Sequence, residues 1–156
     1  MGYIKWLLAM ASLAMGIGPV LAAKPGGGGQ PTIIHNRDLQ FGTIALKSAS
    51  GTVTVTTSGI RTCSANVTCL GANAQSGEFE IRGNAAAVTI SVSTSILLTS
   101  AQNNQVSVSL TPSTTSMTLQ SGNNKNFVTV GGVLNITTAS QGGTYNGSYL
   151  ITVDYL

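Results

Sequence analysis

Charge is the scarcest commodity in this chain: Asp, Glu, Lys and Arg together make up 7% of 156 residues, against about 25% in an ordinary soluble domain. The acids are Asp38, Glu78, Glu80 and Asp154, and His35 is the one histidine. Acid–base catalysis needs convergent titratable groups, and these are too few and too scattered to supply them. Glu78 and Glu80 alternate in Glu78-Phe79-Glu80-Ile81-Arg82, so on a half-buried strand they share the solvated face with Arg82. That makes them a poor glycosidase pair. Two cysteines and a single histidine do not make a zinc site. The one tryptophan, Trp6, lies in the N-terminal apolar stretch, so a sugar-stacking role would fall to Tyr145, Tyr149, Tyr155 or a phenylalanine already wanted by the core. No stretch carries a helical period. A net charge of +3, with Lys5 among the positives, gives no reason to expect a nucleic-acid partner. The composition predicts no enzyme, no cofactor and no metal.

Ser and Thr are abundant, and Gly, with 19 residues, punctuates the apolar runs. This mix favours strands and turns. Residues 1–23 read as a cleaved secretory signal, with Lys5 before a mostly apolar run from Trp6 to Leu21 and small residues in Val20-Leu21-Ala22-Ala23. Gly16, Gly18 and Pro19 interrupt that run, which leaves it short of the roughly 20 residues of a membrane span. Removal of the signal leaves no membrane segment. In an exported chain, the even pair Cys63 and Cys69 implies a disulfide.

Residues 24–37 open with Lys-Pro-Gly-Gly-Gly-Gly-Gln-Pro and read as a flexible extension, with His35 a solvated polar side chain in it. The four glycines follow no strand and lack a Lys-Ser/Thr ending, so they form no phosphate loop. Residues 38–156 read as one β-sandwich domain. Alternation predicts strands over Asp38–Ile44, with Gly42 a bulge, and over Gly51–Thr57 and Glu78–Arg82. Further strands are predicted over Val88–Ser93, Ile96–Thr99 and Gln105–Leu110, the last stopped by Pro112, and around Met117 and Leu119. A turn over Ser121–Asn124 precedes two pieces, Phe127–Val130 and Val133–Thr138, either side of Gly131-Gly132. The last stretch is the most regular. Tyr149, Ile151, Val153 and Tyr155 point one way and Leu150, Thr152, Asp154 and Leu156 the other. Eight or nine short strands with turn residues between them predict an all-β, antiparallel sandwich. Three glycosylation sequons, at Asn66, Asn135 and Asn146, are what chance provides in a chain so rich in Asn and Thr.

Several stretches occur together in order: Asp38-Leu39-Gln40-Phe41-Gly42-Thr43-Ile44, the Cys63 and Cys69 pair, Glu78 to Gly83, Val130-Gly131-Gly132-Val133-Leu134, and Gly143 to Tyr149. With the leader and the strand-like C-terminal stretch, they resemble a secreted bacterial family of unknown function that is similar to chaperone–usher fimbrial subunits. The next-to-last Tyr155 matches the pattern of those subunits. The resemblance implies an immunoglobulin-like sandwich lacking one strand, which a periplasmic chaperone and then a neighbouring subunit supply. It implies a structural subunit of a surface fimbria or fibre, exported through the inner membrane to the periplasm and then the cell surface, where it meets any receptor. Tyr149, Ile151, Val153 and Tyr155 would form the groove edge that binds the chaperone, and Ile33 and Ile34 would be donor residues. Those two are adjacent and so face opposite ways along a strand, which leaves one to fill a pocket. The alternative is a self-complete adhesin or glycan-binding sandwich.

Overall fold

The computed structural model describes residues 5–7 (backbone alone), 29–120 and 125–156. The rest of the expected signal segment and the expected turn over 121–124 lie outside the described residues. All regular structure in the described part is β, and every pairing is antiparallel. The strands are β1 (Lys5–Leu7), β2 (Thr32–Arg37), β3 (Thr43–Leu46), β4 (Gly51–Val55), β5 (Arg61–Cys63), β6 (Val67–Leu70) and β7 (Gly77–Arg82). They continue with β8 (Ala87–Val92), β9 (Ser95–Ser100), β10 (Gln105–Pro112), β11 (Ser116–Thr118), β12 (Asn126–Ile136), β13 (Tyr145–Asn146) and β14 (Ile151–Tyr155).

A large sheet runs β13-β9-β10-β12-β4-β5, with β7 also on β12 and β2 on β7. Two smaller sheets run β11-β8-β14 and β1-β3-β6. Their inward faces meet in one apolar cluster built from the alternate positions that periodicity marks, among them Val53, Phe79, Val88, Ile90, Val108, Val128, Leu134, Ile151 and Val153. The result is an all-β sandwich.

The pivot is β12. Its Asn126–Val130 half pairs with β7, its Gly132–Ile136 half pairs with β4, and β10 runs alongside from Val130 to Asn135. The two pieces expected around Gly131-Gly132 are therefore one continuous strand. At Gly131 the end of β4 passes so close that a Cβ would sit 2.5 Å from the Val55 carbonyl oxygen. Glycine is what lets the strand continue through that crossing.

Three other expectations are corrected. The strand expected over Asp38–Ile44 starts at Thr43, and ahead of it only Gln40 bridges, to Gln75. Gly42 sits at φ +74°, a left-handed conformation that ends the extended run, although Leu39 and Phe41 are fully buried as their shared face predicts. Part of the extension expected to be flexible, Thr32–Arg37, is strand β2, aligned along β7 from Thr32 opposite Arg82 to Arg37 opposite Glu78. Glu80, expected on a solvated face, is buried, its side chain 8% exposed.

Cys63 and Cys69 form a disulfide. Cys63 lies on β5, which pairs with β4, and Cys69 on β6, which pairs with β3, so this short ring fastens a small sheet to the large one. A second tie lies beside it. The Arg61 guanidinium donates to the carbonyls of Phe41 (3.2 Å), Thr43 (3.5 Å), Leu70 (3.4 Å) and Gly71.

Candidate functional site

In an antiparallel ladder, alternate residues direct both backbone groups to the same neighbour. On β14, Leu156 donates its N–H to the Ala87 carbonyl (3.0 Å) and the Leu150 carbonyl accepts from Ser93 N–H (3.0 Å). The Thr89 hydroxyl reaches the Asp154 carbonyl at 3.5 Å. The even-numbered residues therefore face β8. The N–H and C=O groups of Ile151, Val153 and Tyr155 point the other way, where β14 is the end of its sheet and no described strand lies.

The same three residues turn their side chains inward. Ile151 and Val153 are buried in the core, and the half-buried Tyr155 accepts a hydrogen bond from Asn84 N–H at 2.8 Å. The opposite face carries Leu150 (45% exposed), Asp154 and Leu156 (80% exposed). Of the four residues marked in the sequence as a groove edge, Ile151, Val153 and Tyr155 lie on β14 at the end of its sheet, and Tyr149 precedes the strand.

The other sheet edges are guarded in the ways edge strands usually are. β1, β5 and β11 are three residues long and β13 two. β6 carries the disulfide. β2 has a register shift between His35 and Arg37 and ends on the charged Arg37. β14 is five residues of unbroken strand without proline, glycine, lysine or register shift.

The approach to this strand is anchored by Tyr149, 7% exposed, whose ring meets Phe79 edge-on at 5.8 Å. Phe79 lies in turn against the His35 ring at 5.5 Å, and His35 Nε2 is 2.9 Å from Asp38 Oδ1. The Tyr149 hydroxyl is buried with no hydrogen-bond partner. Burial, and then the negative charge of Asp38, push the Tyr149 phenol well above its ordinary range. His35, expected to be merely solvated in a flexible leader, is instead part of this wall. Its role had no signal in the sequence, because no motif links it to Asp38 or Phe79.

Two further acids are paired with arginines. Arg37 reaches Glu78 at 3.3 Å and donates to the Ser76 carbonyl at 3.0 Å. Glu80 binds Arg82 at 2.8 Å. The Arg82 hydrogen bond draws the Glu80 carboxyl below its ordinary range against the opposing effect of burial, with the charges of Arg82 and Lys125 adding to it. Among the described residues no three His, Cys, Asp or Glu side chains converge as a metal site, and no helix is long and apolar enough to cross a membrane. Ile33 and Ile34 are not beside β14. They lie on β2, opposite Ile81 and Glu80 of β7, with Ile33 packed against the core.

A family model, domain of unknown function (DUF4402), matches residues 32–155. The chain belongs to this family. No curated protein matches it, and no solved structure does. The DUF4402 match opens on Thr32, the first residue of β2, and closes on Tyr155, the last of β14. The strand carrying Ile33 and Ile34 thus lies within the matched region.

Proposed function

We propose that this DUF4402 domain is a structural subunit of a secreted surface fibre, held to its neighbours by strand addition at the open edge of β14. The observation that supports the reading is the edge itself, where no described strand pairs with the backbone groups of Ile151, Val153 and Tyr155 that point away from β8. Main-chain hydrogen bonds at such an edge give affinity, and the alternate side chains of an added strand give specificity. Each apolar side chain buried in the joint contributes roughly 1.5–3 kcal/mol, so a few suffice for a durable contact. The leader over residues 1–23 takes the chain into the periplasm, where a chaperone strand first covers the edge and a subunit strand later replaces it. The domain has no catalytic role in this scheme. Burial of Tyr145 and Tyr149 in the core also takes two aromatics away from the glycan-binding alternative.

The test removes a hydrogen-bond donor from the open edge while sparing the fold. Val153→Pro deletes an N–H that points away from β8, whereas Thr152→Pro deletes one directed at Ser91. Val153→Pro is expected to accumulate as a folded protein but to lose strand capture and detergent-resistant assembly. Thr152→Pro is expected to lose the fold. Assembly by Val153→Pro at the unmodified level would place the joint elsewhere.

A further inference from the structure

Given a strand-accepting β14, the strand that completes it has to come from somewhere, and the described residues hold no free candidate. Thr32–Arg37, the strand that opens the body, is committed to β7 within its own molecule. It is pinned there by Arg37 to Glu78 and Ser76 and by Asn36 to Glu78 (3.4 Å). Residues 24–31, with two prolines, four glycines and no large apolar residue, lack the alternating side chains that fill pockets. Every other strand of five residues or more already lies in a sheet. An acceptor edge without a free donor ends a chain instead of propagating one.

The outer face of β14 says what the incoming strand carries. Two of the four acids are paired with an arginine, Glu78 with Arg37 and Glu80 with Arg82, and Asp38 lies 2.9 Å from the His35 ring nitrogen. Asp154 is exposed and has no ion-pair partner among the described residues, and its neighbours on β8 are the uncharged Ala87, Thr89 and Ser91. A strand added to the open edge sets a side chain directly beside Asp154 on that face, where opposite charges attract and like charges repel.

We infer that β14 accepts a strand from a different protein, aliphatic on its inward face beside Ile151 and Val153, and bearing Lys or Arg on its outer face beside Asp154. The domain is an acceptor without a matching donor, so it forms a one-to-one joint and stops.

The experiment uses the full secreted chain and two synthetic strand peptides alternating Val with Thr, one with Lys and one with Glu at the central outward position. Light scattering on the protein alone is expected to give a monomer at all concentrations. Both peptides are expected to bind, the Lys peptide more tightly by about two- to fivefold, the range of one cross-strand charge pair. Asp154→Asn erases the difference, and Asp154→Lys, checked for an unchanged melting curve, inverts it. Oligomer ladders growing with concentration in the absence of peptide would overturn the acceptor-only reading. A Lys preference that survives Asp154→Lys would overturn the assigned contact. Failure of both peptides to bind would instead bring down the strand-accepting reading beneath it.

Discussion

Tyr149 holds a phenol in a place where its ionised form is strongly disfavoured, by burial and by Asp38. An acid whose folded pKa is raised contributes stability that is intact below its unfolded value, near pH 10, and is lost as pH climbs beyond it. Alkaline unfolding is therefore expected above about pH 10, at a slope of roughly 1.4 kcal/mol per pH unit for this one group. Tyr149→Phe, which also removes an unpartnered buried hydroxyl, is expected to flatten that slope at little cost at neutral pH, as denaturant titrations at several pH values would measure. Glu80 has the opposite sign. Its lowered carboxyl contributes stability present above the ordinary carboxyl range and lost as pH falls through the folded value. Arg61 is a third residue of consequence, since its guanidinium gathers the carbonyls of Phe41, Thr43, Leu70 and Gly71 where β3 and β6 meet β5. Arg61→Met is expected to cost about 2–3 kcal/mol in urea unfolding, because those acceptors lose a charged donor. Lys, a point charge without the fork of donors, is expected to rescue little.

Among the elements, β14 was fully legible. A strand that buries one face writes period-two alternation into its residues, and Tyr149 through Leu156 keep it without a slip. β2 was hidden for the same physical reason in reverse. Ile33 and Ile34 are adjacent, and the Gly- and Pro-rich run before them reads as linker, so nothing local announces a strand. Its partner β7 lies more than forty residues away, beyond the reach of a pattern argument. Glu80 misled because alternation reports which face a residue is on, not whether another element covers that face. Removing residues 24–37 takes β2 from the edge of β7 and uncovers packing around Ile81. Thermal unfolding is expected to fall by several degrees, with aggregation through the bared strand. An unchanged melting point would mean that β2 is dispensable to the sandwich. At the other end, the contrast between Val153→Pro and Thr152→Pro separates the proposed role of β14 in assembly from its role in the fold.

At the scale of the whole molecule, the all-β class and the core positions followed from composition and periodicity, while the way the sheets are tied did not. A disulfide between Cys63 and Cys69 was readable from their count. That it spans two sheets was not, because the spacing places the ring but not the strands on either side of it. Reduction is expected to lower stability by about 2–3 kcal/mol in the chain-entropy account. Hydrogen exchange is expected to speed up first in β3 and β6, which depend on this bond and on Arg61 for their attachment. Uniform acceleration across all sheets would contradict that.

The central strand β12 also sets a timetable. It is the shared neighbour of β4, β7 and β10, and all three precede it in the chain. Until Asn126–Ile136 has emerged from the ribosome, none of the three can take its place in the sheet. Through most of its passage the polypeptide is thus a set of short hairpins with bare edges, slow to close because its pairings are distant in sequence. Such intermediates aggregate readily. The time during which this chain is open to aggregation therefore begins well before β14 exists, and lasts until the middle of the large sheet arrives.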